Sequence, residues 1–407
     1  MSAPPVLSSP LEGQQSALRR GRVEAVDLVR GLLMILMALD HTRDYFSNVT
    51  IDPTDPLASW PALFVTRWVT HVCAPGFVAL TGASVFLQRQ RGRKSAQVAH
   101  LLITRGLWFL LLDATLISFA WSFTFRYPYL NIISTIGMCM MLLAPLQRTS
   151  VRVAGLVGGA IVLLQNALDR WQGALSRQLP NLWVLLHQRG FLMYRGHPVA
   201  MVYFPMLGWF GIMCLGYAAG PLLTATFQTR RKTVPWLGTS LLVTFTVLRL
   251  LHGYGDPHRF EYLPTRAQTA MSFFQIEKYP PSLQYVLATF GCLLLLFALL
   301  DVLVERSWAP GARRFLDVFG RVPFFFYLLH ILAIHTAALV ATYVVHGDWR
   351  FWIGPGNTWG DTVPVGWGYG LPVVYAVWIA VVIVLYLPCR WFSQLKARRR
   401  DWWLSYL

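Results

Sequence analysis

Long apolar stretches recur along this chain too often to be the cores of soluble domains. A helix needs about 20 mostly apolar residues to cross a bilayer. Ten stretches approach that length, near residues 24–44, 60–87, 98–124, 131–147, 151–168, 198–220, 234–252, 283–304, 320–345 and 367–390. The fourth and fifth are the weakest, being short or interrupted by glycine. Composition agrees: 55% of the 407 residues are hydrophobic, only 13% are charged, and the mean hydropathy is +0.47. Soluble domains carry about 25% charged residues, so a soluble enzyme is excluded. Disordered chains are polar and poor in aromatics, whereas this one has 17 Trp, 16 Tyr and 25 Phe. The expected fold is all-α: a polytopic integral membrane protein with about ten transmembrane helices embedded in a lipid bilayer.

The formal net charge is +17, yet the basic residues form no single patch that would suit nucleic acid. They sit in short clusters between apolar stretches, which is how membrane orientation is encoded. Arg19, Arg20 and Arg22, then Arg89, Arg91, Arg93 and Lys94, then Arg148 and Arg152, then Arg230, Arg231 and Lys232, then Arg306, Arg313 and Arg314, and finally Lys396 and Arg398 to Arg400 fall in alternate loops. That alternation predicts an even number of spans with both termini cytoplasmic. Residues 1–22 read as a disordered cytoplasmic tail, 23–395 as the transmembrane domain and 396–407 as a basic cytoplasmic tail. The opposite loops, 169–197, 253–282 and 346–366, are rich in Trp, Tyr, Gly, Pro and Arg. They suit either an acceptor-binding vestibule or an aromatic belt. "GWGYG" at 366–370 follows no strand and is not a phosphate-binding signature. The five cysteines lie in or beside apolar segments, with no disulfide or metal-site spacing. No internal repeat of the kind found in many transporters is visible.

Ionisable side chains inside spans are costly and therefore informative. The first span reads "RVEAVDLVRGLLMILMALDHTRDYF". Asp27 and Arg30 are i,i+3 and share a face at its inner end. They either pin the helix end or let Arg30 meet an anionic substrate. At the outer end His41 and Asp44 are i,i+3, and Asp40 and Asp44 are i,i+4. A carboxylate beside an imidazole fixes its tautomer, as a general base or nucleophile needs; an interfacial polar cap is the plainer reading. In the second span Arg67 and His71 are i,i+4, and Pro75 releases a backbone carbonyl. The third span carries Arg105 and Asp113, too far apart to pair, so each is expected to meet another helix. In the ninth, Tyr327 and His330 share a face, Gly320 and Arg321 stand at the inner entrance, and His335 faces elsewhere.

These motifs resemble the heparan-α-glucosaminide N-acetyltransferase catalytic-domain family, in its bacterial branch. The resemblance rests on the first-span stretch above, on "TRWVTHVCAPGFVALTGAS", and on "KYPPSL" (Lys278 to Leu283), "FGRVPFFFYLLH" and "LPCRWFSQLK", covering residue 22 to the end. It implies a transmembrane acyltransferase that moves a short acyl group from cytosolic acetyl-CoA, its co-substrate, to a sugar amine or hydroxyl on the far side. The family's functional histidine lies past the first helix; residues 45–60 here contain none, leaving His41 and His71 on either side. In the expected mechanism Arg30, Arg321 and Arg105 engage CoA phosphates, and His41, oriented by Asp44 or Asp40, deprotonates the acceptor. His71 with Arg67, or Tyr327 with His330, steadies the oxyanion. Direct transfer and a histidine-borne acyl intermediate both remain open. Three other readings compete: a transporter or channel, a haem protein ligated by His71, His330 or His335, and a non-catalytic scaffold. No metal or prosthetic group is expected.

Overall fold

The computed structural model describes residues 23–126, 128–354, 366–399 and 401–406. The N-terminal segment 1–22 lies outside the described residues. Thirteen helices carry the description: α1 (Glu24–Phe46), α2 (Pro61–Gln90), α3 (Ser95–Ser122), α4 (Ile132–Leu146), α5 (Val151–Gln178), α6 (Pro180–Leu186), α7 (Met206–Thr224), α8 (Phe227–Leu250), α9 (Arg266–Phe274), α10 (Leu283–Glu305), α11 (Pro310–Arg321), α12 (Pro323–His346) and α13 (Leu371–Arg398). Helix occupies each of the ten expected stretches. Among the described residues, α2, α3, α5, α7, α8, α10, α12 and α13 are long and apolar enough to cross a membrane. α4 is apolar but has only 15 residues, and α1 spans 23 residues with charges at both ends. The fold is an all-α polytopic membrane protein.

Local chemistry sets the helix ends. Ser150, Thr226 and Ser282 accept hydrogen bonds from Val153, Thr229 and Tyr285 backbone amides at the starts of α5, α8 and α10, satisfying donors that have no intrahelical partner. Pro61, Pro180, Pro310 and Pro323 open helices where a missing N–H costs nothing. Gly347, at φ +71°, closes α12 in the left-handed conformation.

The boundaries depart from expectation at three places. Residues 197–202 are a strand, and the sixth helix starts only at Met206. This β3 (His197–Val202) pairs antiparallel with β2 (Gly190–Tyr194) and parallel with β1 (Tyr129–Leu130), giving the order β1-β3-β2. Arg195 and Gly196 both take positive φ between the paired strands, the geometry of a tight hairpin turn. Arg321 ends the separate amphipathic helix α11, because Pro323 cannot continue that helix. Lys396 and Arg398 belong to the last turn of α13 and not to a tail; cations are favourable at that end of the helix dipole.

α1 is the hub of the bundle, packed against α2, α10, α11, α12 and α13. Its contact with α11 is backbone to backbone. A Cβ on Gly31 would strike the Leu316 carbonyl, and one on Gly320 would strike the Asp27 carbonyl. Facing glycines also bring α3 and α4 into close backbone contact at Gly106 and Gly137. Such contacts gain dispersion energy where lipid offers no hydrophobic contrast. Replacing Gly320 by Val forces α11 off α1 and is expected to lower the melting temperature of detergent-purified protein by several degrees. Gly159→Ala, where nothing lies within 4 Å, should leave it unchanged, and equal effects from both would contradict the packing argument.

Candidate active site

Pro75 has no N–H to offer the carbonyl of His71 one turn earlier. α2 accordingly tightens into a 3-10 turn over Thr70–Val72, and Tyr285 Oη donates to the released His71 carbonyl at 2.7 Å. The break turns the end of α2 toward the C-terminal end of α1. There Arg67 Nη1 donates to Asp40 Oδ2 at 2.6 Å and to Thr70 Oγ1 at 3.2 Å. Arg43 Nη2 donates to Asp44 Oδ1 at 2.6 Å and lies 3.1 Å from Asp40 Oδ1. Two carboxylates and two guanidiniums thus neutralise one another, each side chain no more than 20% exposed. Breaking one partner of such a buried set strands a charge, at a cost of about 3–5 kcal/mol.

Asp40, His41, Arg43, Asp44, Arg67 and His71 all line one cavity of about 500 Å³. Its remaining wall includes Trp121, Tyr129, Tyr203, Phe204, Arg189, His258 and the segment Gln275–Tyr279. The expected carboxylate partner of His41 is absent: Asp40 and Asp44 are held by arginines. His41 Nδ1 instead meets His330 Nε2 at 2.7 Å, and His330 Nδ1 meets the Phe326 carbonyl at 3.0 Å. A carbonyl only accepts, so His330 carries its proton on Nδ1. Its Nε2 then accepts from His41 Nδ1–H, leaving a lone pair on His41 Nε2. Among the described residues that Nε2 has no hydrogen-bond partner. Trp121 packs edge-on against the His41 ring at 4.8 Å, and Tyr327 edge-on against His330 at 5.4 Å. The sequence placed Tyr327 with His330 at the oxyanion; the structure puts His330 in direct contact with His41. His71 Nδ1 approaches the Arg67 carbonyl at 3.1 Å, so this buried ring is also oriented by backbone and not by the Arg67 side chain.

The other expected site residues lie elsewhere. Arg30 donates to Asp27 at 3.0 Å, to the Gly320 carbonyl at 3.2 Å and to Ser84 Oγ at 3.3 Å. Arg321 is paired with Asp317 at 2.6 Å. Arg105 lies over the Phe109 ring at 5.6 Å with its Nε buried and unpartnered, and has Arg30 and Lys396 as electrostatic neighbours. Asp113, as expected, meets another element: it accepts from the Asn131 and Ser134 amides, both at 2.8 Å, where α4 begins. It thereby ties a π-helical turn over Asp113–Ile117 to α4. The nitrogens of His335 face the Ala120 and Trp352 carbonyls at 2.8 and 2.9 Å. With His330 also engaged at both nitrogens, neither ring is poised as an axial haem ligand. Among the described residues no group of three or more His, Cys, Asp or Glu could hold a metal ion.

Several cavity residues escaped the sequence reading: Arg43, Arg189, His258, Glu277 and Lys278. Arg43 and Lys278 lay inside motifs that had been singled out, though neither was assigned a role. His258 Nε2 bonds Glu277 Oε2 at 3.1 Å, while Asp256 accepts from the His258 and Glu277 amides and from Ser282 Oγ. The Glu277 bond, with Asp256 and Glu277 nearby and Arg249 opposing, holds the His258 pKa above its ordinary value; burial raises that of Asp256. A raised histidine pKa stabilises the fold below the ordinary value near pH 6.5, and this contribution is lost as pH rises through the folded value. The melting temperature of the His258→Gln variant should therefore change less between pH 6 and pH 8 than that of the unaltered protein. Parallel pH curves for the two would refute the linkage.

No curated protein matches the chain. The family described as heparan-alpha-glucosaminide N-acetyltransferase, catalytic, matches residues 22–251. That range holds Asp40, His41, Arg67, His71 and Arg105, and ends before Lys278 and His330; the motifs "KYPPSL", "FGRVPFFFYLLH" and "LPCRWFSQLK" lie beyond it. Because the match covers more than half of the 407 residues, the chain belongs to this family, which implies acetyl transfer by a membrane-embedded enzyme.

Proposed function

We propose that the protein takes an acetyl group from acetyl-CoA bound at its arginine-rich end and delivers it to a sugar amine or hydroxyl. The acceptor enters the cavity at the opposite, extracytoplasmic end. The observation that carries this reading is the imidazole pair: the His330 contact fixes the tautomer that leaves a lone pair on Nε2 of His41, a residue that lines the cavity. In the reaction the acceptor lone pair bonds to the thioester carbonyl carbon while His41 Nε2 takes the acceptor proton. The tetrahedral adduct collapses, the C–S bond breaks, and the CoA thiolate takes that proton. His330, buried and bonded to the Phe326 carbonyl, is a positioning residue that stabilises the imidazolium formed in passing. Asp40, Arg43, Asp44 and Arg67 hold the end of α1 in place and set the cavity's field. His71 presents a second imidazole to the same space.

The donor end rests on a different feature. Arg105, Arg30 and Lys396 repel one another, an arrangement that an anionic phosphate relieves through charge-assisted hydrogen bonds. Arg321, already bound to Asp317 and 42% exposed, contributes less than Lys396. The alternation of basic loops supports a cytoplasmic orientation for this end.

The test is transfer from labelled acetyl-CoA to a panel of amino and neutral sugars by purified protein, with CoA release followed in parallel. His41→Ala should lower kcat by about 10²- to 10⁴-fold, and His330→Ala should give an intermediate loss. Wild-type turnover in His41→Ala removes the imidazole from the chemistry. Acetyl-histidine trapped with acetyl-CoA alone makes His41 an acyl carrier and not a base. At the donor end, Arg105→Ala should raise the KM for acetyl-CoA about tenfold or more, since hydrogen bonds to charged groups contribute about 1.5–3 kcal/mol. The acceptor KM should stay constant; a change confined to the acceptor would place CoA elsewhere.

A further inference from the structure

The reaction needs a donor for the oxyanion, and several polar groups of the cavity are already engaged. Arg67 is held by Asp40 and Arg43 by Asp44, and His330 has both nitrogens engaged. Lys278 differs from all of these. It lines the same cavity as His41 and His71 and is an electrostatic neighbour of Asp40, His41 and His71. The residue is only 8% exposed. Its Nζ lies 5.6 Å from the Phe204 ring centroid and 5.0 Å from that of Tyr279. Among the described residues no carboxylate or other acceptor meets it. A nearly buried ammonium that stands against two aromatic rings, with no hydrogen-bond acceptor, gains most when an anion arrives.

Its backbone is fixed from several sides. The Tyr279 amide donates to Glu277 Oε1 at 2.7 Å, and the Glu277 amide to Asp256 Oδ2 at 2.9 Å. The Ser282 amide donates to the Glu277 carbonyl at 3.0 Å, the Pro281 carbonyl accepts from Gln165, and the Leu283 amide donates to Asn166 Oδ1 at 2.9 Å. The loop from Glu277 to Ser282 is thus bound to α5 and to the start of α10. A donor held in place before charge develops costs little reorganisation when it does.

We propose that Lys278 is a catalytic residue whose ammonium donates a hydrogen bond to the thioester carbonyl oxygen as it becomes an oxyanion. The assignment rests on the acyl-transfer reading above. As the acceptor attacks, the carbonyl π pair moves onto oxygen, where Lys278 meets it; the pair returns when the C–S bond breaks, and Lys278 keeps its proton throughout.

The test compares purified full-length wild type, Lys278→Met and Lys278→Arg in acetyl transfer, with melting temperature and CoA affinity measured alongside. Lys278→Met should lose about 10²- to 10³-fold in kcat, with the KM for acetyl-CoA and for acceptor unchanged within about threefold, the signature of an interaction made only in the transition state. Lys278→Arg should lie between the two, down at least about tenfold because its planar fork cannot place one donor at the amine position. Should Lys278→Met fail to fold, Lys278→Arg alone is read: wild-type kcat overturns the assignment and the stated loss supports it. A folded Lys278→Met with wild-type kcat, or with a defect confined to the acceptor KM, also overturns it and leaves the acyl-transfer reading standing. Absence of transfer by the wild type itself sinks both.

Discussion

Everything around the cavity depends on the mutual neutralisation of Asp40, Arg43, Asp44 and Arg67. Four ionised side chains where two helices meet in a membrane protein are tolerable only as a closed set. The set forms because α1 carries three of them within two turns and the Pro75-induced break in α2 brings the fourth across. Once closed, it has two consequences. The carboxylates are no longer available to histidine, so His41 takes its orientation from another imidazole. The arginines are no longer available to an incoming anion, so the cavity's receptive positive charge falls to a residue outside the network.

That division explains what the sequence could and could not reveal. Helix i,i+3 and i,i+4 spacing correctly brought Asp40, His41 and Asp44 together, and it marked Arg67 and His71 as polar residues where polarity is costly. Spacing along one helix cannot say which neighbours are already satisfied. His41 appeared to belong with Asp44 because both were visible in one motif; its actual partner lies 289 positions away. Lys278 sat in a motif yet read as a loop residue, because nothing in "KYPPSL" tells that the loop folds inward over the cavity. Most of the ten helical stretches were legible because a bilayer imposes length and apolarity on a helix that crosses it. The three-stranded sheet was not: β3 merges in hydropathy with the helix that follows, and only its pairing with β1 and β2 distinguishes it.

The histidines of α12 show the same limit from the other side. His330 and His335 looked alike as intramembrane imidazoles. His330 presents one nitrogen to His41 and the other to its own helix, which makes it part of a proton-holding pair. His335 lies between two carbonyls and stacks on Phe123 with centroids 3.8 Å apart, joining α3 to the 3-10 turn at Arg350–Trp352. Burial and residue type are the same; only the chemistry of the partner atoms separates an imidazole that meets His41 at the cavity from one locked between two carbonyls.

The layout also constrains how the two ends communicate. Arg30, Met34, Met37 and His41 follow one another at i, i+4, i+7 and i+11, so they share one face of α1. Arg30 and His41 are about 16 Å apart along that face at 1.5 Å per residue, and the methionines between them are each 5% exposed. In the proposed reaction, a thioester arm running from the arginine-rich end to the imidazole has to pass two packed methionine side chains. Methionine is the apolar residue that rearranges at least cost, being unbranched with three rotatable bonds. A β-branched or aromatic residue on the same stripe would hold the ends apart far more rigidly. The polar groups at either end and the deformable apolar pair between them form one line, which reconciles a closed, membrane-compatible core with a reaction that has to reach across it.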